Sequence, residues 1–290
     1  MANVVRAFQR FQCRGTDQQV GDELLARGAA MRYSQTRNPD TGAISPPVTF
    51  YGSMAIVNYA LQNRAGAVVN LGLGFRWRNE FWRAGQWVDA NGATAFVLDD
   101  VDAKDTGTAG DFALQTTSNN DGFVIAAYDK FDWVSINVST ATAGDAGSDS
   151  VVQYSNTAGT GWTALATTQM YTDEFTYTNV EAGFPTGELL FVWRPPTNWG
   201  KVTIADATMG GVPLGMYALQ VRATDAGTTA ALASAIEVGS MPVLADNVQD
   251  NQIVSEEKCY IWDHRADALV AYFSTANEGN SVKAEWVHAG

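Results

Sequence analysis

The sequence has few of the side chains on which most enzymatic and metal-binding sites depend. Its 290 residues contain two cysteines, Cys13 and Cys259, and two histidines, His264 and His288. Cysteines so few and so far apart exclude a disulfide framework and a cysteine-based metal site. Asp263 and His264 are neighbours, and on a strand their side chains would point to opposite faces, which makes them a poor acid–base pair. We therefore predict a protein that is not an enzyme, with no catalytic residue, no metal ligand and no cofactor.

Long apolar runs are also missing. The N-terminal stretch MANVVRAFQRFQCRG contains no apolar segment long enough for a secretory signal, and no later stretch approaches the ~20 apolar residues of a membrane span. Hydrophobic residues nevertheless make up 46% of the chain and charged residues only 17%, which is typical of a packed globular protein. We expect a soluble protein that is made in the cytosol and has no membrane partner.

Lysine is absent from the first 90 residues, which hold ten arginines and six acidic side chains, a balance of +4. The other 200 residues hold eight basic and 25 acidic side chains, a balance of −17. Arginine suits contact with a carboxylate-rich protein surface because its guanidinium pairs with a carboxylate through two hydrogen bonds. Pairing within the chain itself is the alternative, and a net charge of −13 disfavours nucleic acid as a partner. The candidate partner-binding residues are Arg6, Arg10, Arg14, Arg27, Arg32 and Arg37.

The chain changes in texture near residue 68. Residues 1–67, rich in proline and turn-forming residues after a possible short helix at 23–33, predict an irregular N-terminal arm for partner attachment. Within it, residues 51–62 predict a strand or a strand entering a helix. From residue 68, short apolar runs recur roughly every 8 to 12 residues, which predicts an antiparallel, jelly-roll-like β-sandwich. We place this all-β region at 68–245, with a sub-boundary at 140–150, and a C-terminal β segment at 246–290.

The predicted strands are short apolar or alternating segments between clusters of Gly, Asn, Asp, Ser and Thr. They are residues 68–78, 86–90, 94–99, 111–117, 122–128, 131–140, 151–155, 161–166, 188–195, 214–224, 235–241, 258–263 and 268–273.

Aromatic residues are abundant, with nine tryptophans, ten tyrosines and thirteen phenylalanines. Trp77, Trp82 and Trp87 are close enough in sequence to form a platform on which a sugar ring stacks. Packing in a core or in a subunit interface is the more frequent use of such residues, and it remains the alternative.

Acidic residues are dense in the segment LDDVDAKDTGTAGD. It contains Asp99, Asp100, Asp102, Asp105 and Asp111, whose oxygens are the kind of ligand that calcium prefers. The spacing is not that of an EF-hand, and aspartate is also common in solvated turns. We leave open whether an ion binds here and assign no metal site.

Several motifs in residues 70–245 resemble virion structural proteins of tailed bacteriophages, which use β-sandwich modules. The segments that carry the resemblance are FRWRNEFWRAGQWVD (75–89), NTAGTGWTAL (156–165), FTYTN (175–179), GELLFVWRPPTNWGKV (187–202) and GMYALQVRAT (215–224). Gln220 stands where such proteins often carry a second arginine. In the corner Pro195, Pro196 and Trp199, proline stiffens the chain and the indole buries a large area, so we expect these residues to build the fold. We expect Arg222 to donate hydrogen bonds to carbonyls of that corner.

The resemblance and the charge distribution together imply a capsid decoration, or cement, protein that binds and stabilises the outer capsid surface. Its partner would be the major capsid protein, and self-association, as a trimer, is expected. The chain would be made in the cytoplasm of the host bacterium and reside in the virion. One alternative is a tail, baseplate or fibre module that binds host-surface glycan through Trp77, Trp82 or Trp87. Another is a glycan hydrolase with paired carboxylates such as Asp99 and Asp102.

Overall fold

The computed structural model is an all-β protein of antiparallel strands, which confirms the fold class predicted from the sequence. It describes residues 9–14, 29–33, 53–105, 110–141, 150–171, 184, 186–224, 227–256, 260–262, 265–275, 277 and 279–289. Helical structure in these residues is limited to one five-residue α-helix, α1, and short 3-10 turns, three of which are Asn79–Phe81, Asp89–Thr94 and Thr167–Gln169.

The strands lie close to the predicted segments. They are β1 (Gln9–Arg14), β2 (Ala29–Tyr33), β3 (Ser53–Gln62), β4 (Val69–Trp77), β5 (Trp82–Trp87), β6 (Phe96–Leu98), β7 (Phe112–Gln115), β8 (Gly122–Ala127), β9 (Trp133–Thr140), β10 (Ser150–Ser155), β11 (Trp162–Ala164), β12 (Gly187–Val192), β13 (Tyr217–Ala223), β14 (Ala231–Val248), β15 (Ile253–Glu256), β16 (Tyr260–Trp262), β17 (Ala266–Phe273) and β18 (Ser281–Ala289). The helix α1 spans Asp100–Lys104.

One compact unit, unit 1, contains both ends of the chain, Met1–Arg78 and Gly239–Gly290. Its first sheet has the order β1-β18-β3-β15, and β16 also pairs with β3. A second set of strands runs from the end of β14 through β4 and β17 to β2. The core takes apolar side chains from both sets, because alternate residues of each strand face inward. Fully buried members include Ile56, Leu61, Leu71, Leu73, Leu269, Phe273 and Val282.

The other compact unit, unit 2, is Asn79–Val238. It contains a six-stranded sheet of order β11-β10-β13-β8-β5-β6 and the strands β12, β9, β7 and the first part of β14. Phe123 of β8 contacts Phe112 of β7 edge to face, with ring centroids 6.2 Å apart. This contact joins the six-stranded sheet to β7, as expected where two sheets share a sandwich core.

The six-stranded sheet is covered on both faces at β8, where every residue is buried. Val124 and Ala126 alternate with Phe123 and Ile125, and they join a second apolar cluster with residues of the 202–216 segment. That cluster contains Trp87, Ala95, Val124, Ala126, Val202, Met209, Val212, Met216 and Ala218. The long connection between β12 and β13 therefore covers one face of the six-stranded sheet. The sequence pattern predicts that this face is partly polar.

The prediction of an irregular arm is wrong for residues 9–14 and 29–33, which are strands that pair with β18 and β17. The strand predicted at 51–62 is present as β3, and it pairs with three strands of the C-terminal region. Of the helix predicted at 23–33, the structure describes residues 29–33, and they form strand β2. The N-terminal segment and the C-terminal β segment thus belong to one unit, rather than to separate domains bounded at 67 and 245.

Candidate interaction surface

The net charge of the protein is confined to unit 2. By sequence, unit 1 contains 12 basic and 12 acidic side chains and is neutral, whereas unit 2 contains six basic and 19 acidic side chains and carries −13. A count of charges on either side of residue 91 does not show this division, because the basic N-terminal segment belongs to the same unit as acidic residues of the C-terminal segment. Unit 2 alone therefore presents a strongly anionic surface.

Most cations of unit 2 lie against groups of their own unit. Lys130 and Lys201 lie over the Tyr217 ring, at 5.6 and 5.2 Å from its centroid. Arg194 lies 5.7 Å from the centroid of the Tyr171 ring. These contacts are cation–π interactions.

Asp100 organises the start of α1. Its carboxylate accepts hydrogen bonds from Arg83 Nη1 at 2.5 Å and from the backbone N–H of Ala84 at 2.8 Å, and Lys104 Nζ lies 3.5 Å away. Lys104 also donates to the carbonyls of Asn79 and Trp82, both at 2.7 Å. Burial lowers the pKa of Lys104, and the charge of Asp100 opposes that effect. This network fixes α1 to β5.

Asp102 of α1 has a different environment from Asp100. The negative charge of Asp99 raises the pKa of Asp102, with smaller contributions in the same direction from burial and from Asp105 and Asp111. Like charges are therefore concentrated around Asp102. Within the described residues, no group of three or more His, Cys, Asp or Glu side chains is arranged to hold a metal ion.

Exposed apolar side chains lie beside these carboxylates. Val97 and Leu98 of β6 are 46% and 56% exposed, and Val101 of α1 is 73% exposed. We call residues 96–105, which comprise β6, Asp99, α1 and Asp105, the β6–α1 edge. It combines three exposed apolar side chains with four aspartates within ten residues of chain.

The glycine of β5 positions β6. A Cβ on Gly85 would lie 2.4 Å from the Phe96 ring and 2.6 Å from the Val97 carbonyl oxygen. The Phe96 ring therefore packs directly on the backbone of β5, an arrangement that only glycine permits. β6 is the last strand of the six-stranded sheet.

The hydrogen bonds of β6 show which backbone groups face outward. The N–H of Asp99 donates to the carbonyl of Ala84 at 3.0 Å, and the N–H of Val88 donates to the carbonyl of Ala95 at 2.8 Å. In an antiparallel pair, alternate residues direct their backbone groups to the neighbour, so those of Leu98 point away from β5. The edge at Leu98 is therefore oriented to pair with a further strand.

The tryptophans proposed as a sugar-stacking platform are core residues. Trp77, Trp82 and Trp87 are only 8%, 1% and 6% exposed. A pyranose ring needs one free face of an indole, and none of the three offers one. Lys104 lies 4.7 Å from the centroid of the Trp82 ring, and Trp162 contacts Trp87 edge to face at 5.7 Å. The structure corrects the glycan-stacking assignment for these residues.

Three of the predicted partner-binding arginines lie on edge strands. Arg10 and Arg14 are in β1, at one end of the five-stranded sheet, and Arg32 is in β2, at one end of the seven-stranded sheet. Arg6, Arg27 and Arg37 lie outside the described residues, as do Asp263, His264 and Cys259. His288 is placed in β18, where it pairs with Met54 of β3.

The proline–tryptophan corner builds the fold. Trp199 is buried, and its indole N–H lies 3.1 Å from both Ser155 Oγ and the Ala218 carbonyl oxygen. The carbonyl of Pro196 accepts a hydrogen bond from Lys130 Nζ at 2.8 Å, as does that of Thr197 at 3.2 Å. The predicted role of Arg222 is therefore wrong: Lys130 binds the corner carbonyls.

Sequence patterns did not indicate the β6–α1 edge as a surface. Residues 94–99 predict a strand, but the exposure of Val97 and Leu98 depends on which strand ends the sheet. The sequence does show the acidic density around Asp100, although it does not distinguish the paired Asp100 from the repelled Asp102. Contacts with Arg83 and Lys104 make that distinction.

Comparisons with models of protein families, with curated proteins and with solved structures found no match. The helical part of the described chain contains no segment with the length and apolar character of a membrane span.

Proposed function

We propose that this chain is a non-enzymatic structural protein of a bacteriophage virion, a capsid decoration protein that binds and stabilises the outer capsid surface. The observation that carries the proposal is the separation of charge, with a neutral unit 1 and a unit 2 that carries −13. A net charge far from zero on unit 2 opposes non-specific association of copies, and the neutral unit 1 leaves a second region for attachment.

The attachment region in this proposal is unit 1. Arg10, Arg14 and Arg32 lie on edge strands, where one side of each strand has no partner strand in the described sheets. Arginine on an edge discourages indiscriminate strand pairing and pairs well with carboxylates of a fixed partner surface. The major capsid protein is the proposed partner, and binding to the assembled shell alone would stabilise that shell by mass action.

Binding of the purified full chain to decoration-free particles tests this proposal. Co-sedimentation is expected to saturate at a fixed number of copies per particle, and the particles are expected to release their DNA at a higher temperature. The variant Arg10→Glu/Arg14→Glu should bind more weakly, whereas Arg194→Glu in unit 2 should bind as the wild type does. Absence of saturable binding, or an equal effect of both variants, would contradict the proposal.

The glycan-binding tail module is less well supported, because its three proposed stacking residues are buried. A hydrolase that uses Asp99 and Asp102 lacks support as well. Asp99 accepts a hydrogen bond from Gln86 at 3.1 Å, and it is the N-cap of α1, whose first turn contains Asp102, so the two carboxylates belong to one helix start rather than to two sides of a cleft.

A further inference from the structure

We propose that the β6–α1 edge is a docking surface for an extended polypeptide segment that alternates apolar and basic side chains and adds to β6 as a further strand. The inference rests on the proposed function in one respect: the segment would belong to a second coat subunit, so that one copy bridges two subunits. The observations that support the docking surface concern residues of unit 2 alone.

Three exposed apolar side chains lie on the β6–α1 edge. Leu98 and Val101 are more than half exposed, and Val97 nearly half, within five consecutive residues. Val97 and Leu98 are neighbours in a strand, so their side chains point to opposite faces of the sheet, and a peptide strand added to β6 would place side chains against both. Of the other large exposed apolar residues in unit 2, Tyr128 and Leu214 lie far from this group in sequence.

The direction of the backbone groups in β6 favours addition of a further strand. β6 ends the six-stranded sheet, and the backbone groups of Leu98 point away from β5. The edge is capped at Phe96, whose N–H donates to the Gly210 carbonyl at 2.7 Å, and it stays open in the direction of Leu98. An extended peptide that adds to a sheet edge uses main-chain hydrogen bonds for affinity and side chains for specificity.

Charge selects the occupant. Asp99 and Asp102 lie among the exposed apolar residues in sequence, and Arg83 and Lys104 pair with Asp100. Repulsion among the carboxylates raises the pKa of Asp102, so a cation that approached them would be attracted and would relieve that repulsion. The edge therefore favours lysine or arginine between the apolar residues of its partner, and it disfavours an acidic segment.

Fluorescence anisotropy with the full chain tests this inference. The probe is a labelled octapeptide of alternating valine and lysine, and the comparison peptide alternates valine and glutamate. We expect saturable binding of the lysine peptide that weakens with added salt, and at least about tenfold weaker binding of the glutamate peptide. Equal binding of both peptides, or binding of neither, would overturn the inference.

Matched variants locate the site. Leu98→Ser, Val101→Ser and Asp102→Asn should each weaken binding of the lysine peptide by about threefold or more. Leu214→Ser is the control, because Leu214 is 58% exposed, close to the 56% of Leu98, but lies in a turn outside the edge. All four side chains are at the surface, so the variants should unfold at the wild-type temperature. An equal loss for Leu214→Ser would place the binding elsewhere and refute the assignment.

Two further measurements separate this inference from the proposed function. Hydrogen exchange of the Leu98 amide should slow when the lysine peptide binds, and unchanged exchange would exclude strand addition. Particle binding by Leu98→Ser then distinguishes the two proposals. If the wild type binds particles and Leu98→Ser binds equally well, the docking surface is wrong and the decoration role stands. If the peptide binds as described but particles do not, the role fails and the surface stands.

Discussion

Individual carboxylates of the acidic segment differ in what they do, and Asp100 is the structural one. It receives Arg83, the Ala84 N–H and Lys104, and its side chain is only 15% exposed. Asp100→Asn should lower the free energy of unfolding by about 1 to 3 kcal/mol, because it leaves two cations and a buried N–H with a weaker acceptor. Asp102→Asn is the control in the same helix and should not destabilise, since it removes repulsion. Chemical denaturation of both variants checks this, and equal losses would contradict it.

Tyr59 of β3 makes stability sensitive to alkaline pH. Burial, followed by the neighbouring charge of Glu256, raises the pKa of Tyr59 to about 12. Because the folded-state pKa lies above that of the unfolded chain, this contribution to stability is complete below pH 10 and is lost as pH rises to about 12.

Replacing Tyr59 with phenylalanine should remove that pH dependence. Denaturation of Tyr59→Phe between pH 9 and about 12 should show a flatter fall in unfolding free energy than the wild type shows. Tyr128→Phe, at a tyrosine that is 48% exposed, is the control and should follow the wild type. Parallel curves for the wild type and Tyr59→Phe would show that another group carries the effect.

At the scale of single residues, the sequence identifies chemical types better than environments. The acidic group at 99–111 and the buried Trp199 are evident from composition and motif. Burial of Trp77, Trp82 and Trp87 is not, because the residues that cover them are distant in sequence. Trp87, for example, lies in a cluster with Met209 and Val212.

The strands are the elements that the sequence predicts well. Each segment predicted from residue 68 onward overlaps a strand, because period-2 alternation and turn residues are local signals. In β9, Asn137 and Ser139 are exposed and Val138 is buried, as alternation requires. Gln220 of β13 is the exception: the pattern puts it on a polar face, but it is 1% exposed because the 202–216 segment covers that face.

Elements at the chain termini were harder to predict. β1, β2 and β18 were not predicted, although β18 pairs with nine residues of β3. Each of these strands is stabilised by a partner more than 200 residues away in sequence, and no local pattern reports such a partner. The prolines near residue 46 lie outside the described residues, and they give no indication that the flanking segments 29–33 and 53–62 are paired.

The position of β6 depends on Gly85. Gly85→Ala should lower the free energy of unfolding by about 1 to 3 kcal/mol and displace β6, since the new methyl group would overlap the Phe96 ring and a backbone carbonyl. Faster hydrogen exchange in β6 and calorimetric unfolding would report this. Gly161→Ala is the control, where the added Cβ meets only side-chain atoms of Asn156 and Thr208, at 3.0 and 3.8 Å. If β6 exchange is unchanged in Gly85→Ala, the packing described here is wrong.

At the level of the whole molecule, an organisation in two units predicts a different effect of truncation from that expected for an arm attached to a sandwich. Deleting residues 1–66 removes β3, which pairs with β15, β16 and β18. We expect the truncated chain to lose protection in residues 239–290 and to keep a protease-resistant fragment within 79–238. Limited proteolysis with mass spectrometry measures this. Equal protection of 239–290 in both chains would instead support a dispensable arm.

We propose that this chain decorates a capsid. Electron cryomicroscopy of particles saturated with the full chain is the sharpest test, because the position of added density requires no assumption about which residues bind. We expect ordered density on the outer face of the shell, with unit 1 against the coat and the β6–α1 edge of unit 2 against a neighbouring coat subunit. Density confined to the tail, or a shell without added density at saturating concentration, would contradict it.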